Sequence, residues 1–360
     1  ILLKPNKRWQ KQEKNIGKIN KMSARFYGYM ANPNLPKSDY IHKFTQHEYD
    51  EFRKCANDPV YFTRNYIKII NVDEGLVPFA MWDFQEEMMN LYNENRFAIC
   101  MCPRQVGKTT VSVSYLLHYI LFNENVSIAI LANKSSTSRE IMSRLKLAFE
   151  YLPLFLKIGV VEWNKSFILF SNGSKAIADA TSGSSIRGQS FNCIFLDEFA
   201  HVPNNIAEEF FASTYPTISS GQTTKVIIVS TPFGMNLFYK LWTEASDGRN
   251  EYKPFSVHWS DVPGRDEAWK EQTIRNTSVD QFRQEFECEF VGSTHTLIHP
   301  SKLRSLVFQQ PIHTEGFFSA YKDPEPEHTY CITVDVAEGQ GKDYSTFSVF
   351  DVTEVPYKQI

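Results

Sequence analysis

A chain of 360 residues, 42% hydrophobic and 22% charged, is long enough to bury a large core and excludes general disorder. Its formal net charge of -3 does not advertise nucleic acid as a partner, although the charge is unevenly placed. No apolar stretch has the length to cross a bilayer, there is no secretory core near the N-terminus, and Cys55, Cys100, Cys102, Cys193, Cys288 and Cys331 form no CxxC pair, so reduced thiols, no membrane and a cytoplasmic protein are expected.

Residues 1–44 read as a basic arm, in which Lys4, Lys7, Arg8, Lys11, Lys14, Lys18, Lys21 and Arg25 face Glu13 alone before residue 26. Such an arm is either a solvated tail or a contact for phosphate backbone or an acidic partner. A start at Ile1 rather than Met fits a trimmed product or a fragment. Residues 44–70 read as helical turns with Thr45 or Asp58-Pro59 as start signals, followed by a turn over Val72 to Gly75 and a helix from Trp82 to near Asn93.

Strands and helices then alternate. Strands are expected at 97–101, 126–132, 167–170, 175–180, 192–197 and 224–230, with helices at 108–122, 135–150, 204–213 and 235–244. Continuous apolar strands separated by amphipathic helices predict an α/β fold with a mostly parallel sheet covered on both faces, and ligand chemistry at the carboxyl ends of the strands. Beyond Tyr252 the spacing predicts an edge strand at Val257-His258-Trp259 and helices at 266–276 and 278–286, and the prolines of 311–329 read as a linker. Tyr330–Asp335 and Thr346–Asp351 form a hairpin, too little for an independent domain, so the sequence is expected to stop just inside a second one.

Cys102-Pro103-Arg104-Gln105-Val106-Gly107-Lys108-Thr109 leaves one expected strand and enters an expected helix, which is the setting of a phosphate-binding loop. The backbone amides of Gln105, Val106, Gly107, Lys108 and Thr109 can surround a β-phosphate, with Thr110 next in the helix. Lys108 supplies charge to the β- and γ-oxygens, and the Thr109 hydroxyl is the expected Mg²⁺ ligand. Cys102 replaces the usual first glycine of the loop.

Asn192 to Glu198 is a buried strand ending in two carboxylates: Asp197 suits the magnesium shell, and Glu198 suits a general base for an attacking water. Adjacent carboxylates can also cap a helix, but the sequence continues into Phe199-Ala200-His201 rather than a helix at once. The acidic pair favours hydrolysis over phosphoryl transfer to a small molecule. Arg104 reads as a cis arginine for the γ-phosphate or as a surface arginine. Gln85 with Trp82 reads as an adenine contact or as ordinary exposed helix. Ser230 and Thr231 end a further buried strand, as a γ-phosphate sensor or a plain strand exit. Arg187 and Lys134 suit phosphate contacts, with an ion pair and a helix start as their bland alternatives.

With these residues together, the chain resembles the large subunit of the DNA-packaging terminases of T4-type tailed bacteriophages. The matching points are the loop 102–109, Ile194 to Ala200, Ser230-Thr231-Pro232, Trp82 to Gln85, and Val334-Asp335-Val336-Ala337-Glu338-Gly339 with Asp343. The resemblance implies a P-loop NTPase of the additional-strand, RecA/helicase-like type over residues 45–310, with a small second subdomain from the N-terminal helices and residues of about 250–310. It implies ATP and Mg²⁺ as cofactors, Lys108, Arg104 and Glu198 as catalytic residues, Asp197 as the magnesium aspartate, Ser230 and Thr231 as the coupling motif, and Trp82 with Gln85 at the adenine.

It further implies a motor that drives double-stranded DNA through a portal protein into a procapsid, regulated by a small terminase subunit. The motor would be oligomeric on the portal and monomeric alone, in the cytoplasm of the infected host and absent from the mature virion. Residues 330–360 would begin a ribonuclease H-like nuclease, with Asp335 and Asp343 toward its divalent metals. The other carboxylates would lie on later strands, so this chain is expected to hydrolyse ATP without cutting DNA. Alternatives are a superfamily 2-like helicase or double-stranded DNA translocase, a small-molecule kinase and a nucleotide-binding capsid adaptor.

Overall fold

The structure, a computed structural model, describes residues 28–183, 186, 188–290, 310–337 and 345–360. The basic arm up to residue 27, Ser184, Ser185, Arg187, Glu338, Gly339 and Asp343 lie outside the described residues. The chain divides into two compact units, Ile1–Gly292 and Ser293–Ile360.

In the first unit the elements are α1 (Gln46–Asn57), α2 (Pro59–Tyr66), β1 (Lys68–Asn71), β2 (Gly75–Pro78), α3 (Asp83–Glu94), β3 (Phe97–Met101), α4 (Lys108–Phe122), β4 (Ser127–Ala132), α5 (Ser135–Glu150), β5 (Val160–Trp163), β6 (Phe167–Phe170), β7 (Lys175–Ala180), β8 (Cys193–Asp197), α6 (Asn204–Ser220), β9 (Lys225–Ser230), α7 (Leu237–Ser246), β10 (Lys253–Ser256), α8 (Glu267–Asn276) and α9 (Val279–Glu285). The start signals act as expected. Thr45 and Glu48 exchange backbone and side-chain hydrogen bonds at the head of α1, and the Asp58 carboxylate accepts from the Val60 and Tyr61 amides ahead of α2.

An eight-stranded sheet in the order β10-β3-β9-β8-β4-β7-β6-β5 organises the unit. β10, β3, β9, β8, β4 and β7 run parallel; at one edge β6 pairs antiparallel with β7 and β5 antiparallel with β6. Strand alternation splits the buried side chains between two cores. Ala98, Cys100, Ile128, Ile130, Phe195 and Val229 join one with α3, α4 and α5, while Ile99, Leu131, Ile194, Leu196 and Ile228 join Phe210 of α6 and Phe238 of α7 in the other. The parallel sheet covered on both faces is thus the predicted one, and it needs these strands apolar on both sides.

Several boundaries differ from the sequence reading. Residues 68–71 are not helical turns: they pair antiparallel with Gly75–Pro78 around the expected turn. The edge strand is β10 rather than Val257-His258-Trp259, four residues earlier than its apolar side chains suggest, because Lys253 and Pro254 are tolerated on an outer strand. Helix α6 continues to Ser220, through Pro216, and β5 escaped the reading. In the second unit β11 (His313–Glu315) and β12 (Phe318–Ala320) form a hairpin inside the expected linker. β13 (Tyr330–Asp335) pairs with β14 (Thr346–Asp351) as expected, and a short β15 (Lys358–Gln359) extends that sheet. Asp335 is the last residue of β13 and is exposed.

Candidate active site

Strands β3, β8 and β9 end side by side, and their exits build the site. The phosphate loop needs left-handed backbone at two places, Gln105 with φ 59° and Gly107 with φ 75°. Glycine is required at 107 for a second reason: a Cβ there would come within 2.6 Å of the Gln85 amide nitrogen. No such demand falls on Cys102. Its side chain is buried, and its amide donates to the Ser230 carbonyl at 3.0 Å, which prolongs the β3–β9 pairing by one residue.

Lys108 opens α4 and is buried, with Nζ 2.9 Å from Glu198 Oε1. The Thr109 hydroxyl donates toward Asp197 Oδ2 at 3.3 Å, while Asp197 Oδ1 is buried with no hydrogen-bond partner. Burial, then the neighbouring Glu198 charge, pushes the Asp197 carboxyl up to about 6 against the opposing pull of Lys108 and Thr109. Burial acts on Glu198 as well, but there Lys108, by charge and hydrogen bond, and further the His201 charge and the Thr231 amide outweigh it and hold the carboxyl below its ordinary value. Glu198 has φ 51°, a left-handed conformation uncommon outside glycine, and it carries the chain directly into a 3-10 turn, Phe199–His201. The Ser230 hydroxyl, Thr231 amide and Thr231 hydroxyl each lie 3.5 Å from Glu198 Oε2. Lys108, Thr109, Asp197, Glu198, Ser230 and Thr231 therefore meet beyond the carboxyl ends of the interior strands β3, β9 and β8.

Two other expected site residues have protein partners. Gln85 is buried, not exposed helix: its Oε1 accepts from the Trp82 amide at 3.0 Å and its Nε2 donates to the Val106 carbonyl at 2.9 Å. Its amide thus ties α3 to the phosphate loop. Trp82 stands at the start of α3 with its ring tilted on Phe84. Arg104 is engaged by Glu285, within electrostatic reach of Glu198 and His201. Its guanidinium pairs with the buried carboxylate of Glu285 and its amide donates to the Glu285 carbonyl at 3.0 Å, and the Glu285 bond raises its already high pKa further. Thr110 borders a cavity of about 430 Å³ walled by β1, α4 and α5. Lys134 is exposed at the start of α5 and makes no side-chain capping bond.

Three residues at the site escape a reading of the sequence. His201 carries a signal that spacing could have found, since it follows the acidic pair within one turn; its Nε2 is 2.9 Å from Thr231 Oγ1. Glu285 and Arg265 carry none. Arg265 donates to the carbonyls of Arg104 and Gln105 at 3.0 and 3.2 Å, with its guanidinium over the Trp269 ring, and so braces the strained residue Gln105 from outside.

In the sheet, β9 is the extra strand between β3, which delivers the phosphate loop, and β8, which ends in the acidic pair. That order, with a helix starting at Lys108, defines a P-loop NTPase of the additional-strand type. A family model described as the terminase large subunit, T4likevirus-type, N-terminal, matches residues 99–305, and the chain belongs to that family.

The large terminase subunit of Thermus phage G20c is 30% identical over 182 residues, 46% of this chain and 36% of that protein. That of Escherichia phage T5 is 27% identical over 241 residues, 64% of this chain and 51% of that protein. The chain therefore spans between about a third and a half of the length of these relatives. Among solved structures, the HK97 bacteriophage large terminase shares the fold at a TM-score of 0.56 with 13% identity, over 85% of this chain and 67% of that one. Among the described residues no helix is long and apolar enough to cross a membrane.

Proposed function

We propose that this chain is the ATP-hydrolysing part of a viral DNA-packaging motor, which moves double-stranded DNA through a portal into a procapsid in the cytoplasm of the infected host. The observation that carries the reading is the meeting of Lys108, Thr109, Asp197 and Glu198 at the carboxyl ends of the strands of an additional-strand sheet, in a chain of the terminase large-subunit family. In this reading the amides of residues 105–109 and the head of α4 hold the phosphates, and Lys108 exchanges its Glu198 partner for the β- and γ-oxygens. Glu198, released from that ion pair, takes a proton from the attacking water.

The residues present fit Mg²⁺. A buried carboxylate with one oxygen free of hydrogen bonds, beside a threonine hydroxyl, is an oxygen donor set suited to a hard divalent cation. Asp197 and Thr109 would hold Mg²⁺, which would offset negative charge on the phosphates. Arg104 is proposed to leave Glu285 for the γ-phosphate, and Ser230 and Thr231 to couple that phosphate to β9. The portal, the small terminase subunit and a ring assembly on the portal are the partners this reading entails. Asp335, at the tip of β13, is proposed to belong to the nuclease centre of the full-length protein.

ATP turnover and nucleotide binding by two variants test the reading. Lys108→Ala is expected to lose both. Arg104→Ala is expected to keep binding and to lose about a hundredfold or more of kcat, in line with other catalytic arginines. Unchanged turnover in Arg104→Ala, with lowered stability, would assign that arginine to Glu285 alone. Stimulation of turnover by duplex DNA without strand separation on a forked substrate distinguishes packaging from helicase action.

A further inference from the structure

The side of Glu198 facing away from Lys108 is occupied by the exit of β9 and by His201. His201 Nε2 lies 2.9 Å from the Thr231 hydroxyl oxygen and 3.6 Å from Glu198 Oε2, and its side chain is 21% exposed. The ring rests on Phe233, with centroids 4.8 Å apart and planes at 32°. One residue earlier in the same turn, the Ala200 amide donates to the Ser230 hydroxyl oxygen at 3.1 Å. Thus the turn after the acidic pair and the exit of β9 are joined twice, once through backbone and once through the imidazole.

These contacts have a consistent polarity. With the proton on Nε2, His201 donates to Thr231 Oγ1, and the hydroxyl proton of Thr231 then points to Glu198 Oε2 at 3.5 Å. The carboxylate is thereby held from behind by Thr231 while Lys108 holds its other oxygen. A general base gains little from being near its water unless its lone pair is aimed, and aiming requires a partner on the far oxygen.

We propose that His201 is a positioning residue for Glu198: it orients the Thr231 hydroxyl as a donor to the carboxylate. The inference rests on the reading of Glu198 as the general base and adds the residue that aims it.

Steady-state ATP turnover of the 360-residue chain tests this, with Glu198→Gln as the reference. His201→Phe keeps a ring against Phe233 but has no donor. It is expected to lower kcat about tenfold or more, with the KM for ATP within about twofold of wild type. His201→Gln, whose amide nitrogen reaches the position of Nε2, is expected to restore most of that loss. In a double-mutant cycle, His201→Phe and Thr231→Val are expected to cost less together than the product of their separate losses, since part of each loss is the same chain of bonds.

Wild-type kcat in His201→Phe alongside an inactive Glu198→Gln would overturn the proposal and leave the general base standing. Equal loss in His201→Phe and His201→Gln, with a raised KM or a lowered melting temperature, would also overturn it, because it would make the histidine a packing residue. An active Glu198→Gln would remove the general base and this inference together.

Discussion

Glutamine in place of Glu198 is expected to lower ATP turnover by about a hundredfold or more while nucleotide binding survives. The amide keeps the shape of the carboxylate. Its oxygen can still accept from Lys108 and its nitrogen can donate to the Thr231 hydroxyl, and the contact given up is the long one, 3.5 Å, from the Thr231 amide. What disappears is the capacity to take a proton and the negative charge opposite Lys108. Without that charge, Lys108 meets the phosphates with no competing anion, and ATP affinity is expected to equal or exceed that of wild type. Single-turnover phosphate release and titration with a fluorescent ATP analogue measure the two quantities separately. Turnover within a few-fold of wild type would remove Glu198 from the chemistry.

Asp197→Asn is expected to trade stability against activity. The folded chain lifts this carboxyl from its ordinary value to about 6, with burial as the main cause and Glu198 next. A carboxyl that binds its proton more tightly when folded favours the folded state where it is protonated. Its contribution therefore falls as pH rises through the window from about 4 to about 6, and the ionised form carries a penalty at neutral pH. Removing the charge is expected to stabilise the ligand-free chain at pH 7 by on the order of 2 kcal/mol, with the gain vanishing near pH ~4. The same change is expected to abolish the added stability that Mg²⁺ and ATP confer together, and to abolish turnover. Urea unfolding of both proteins between about pH 4 and 8 checks the first part, and an Asp197→Asn variant less stable than wild type at about pH 7 would refute it.

Much of this site is legible in the sequence, because its signals are local. A strand that must be buried can carry charge only at its tip, and Cys193–Asp197 is buried along its whole length up to that tip. The loop after β3 and the exit of β9 show the same grammar of apolar run followed by polar turn, and the parallel sheet follows from strands that are apolar on both faces. Where local grammar is weak, the sequence misleads. β10 begins with Lys253 and Pro254, which look nothing like a strand, and β1 and β2 are short and largely exposed, so neither leaves a period-two pattern.

The chain's own order of residues determined the fold class, the phosphate loop and the acidic pair, since each depends on residues that are neighbours in sequence and on the cost of burying charge. Tertiary structure alone decided who faces whom: Glu285 holds Arg104 from 181 residues away, Gln85 spends its amide on Val106 across 21, and His201 reaches Thr231 across 30. An arginine, a glutamine or a histidine has many chemically adequate partners, and only the packed sheet and its covering helices restrict each to one.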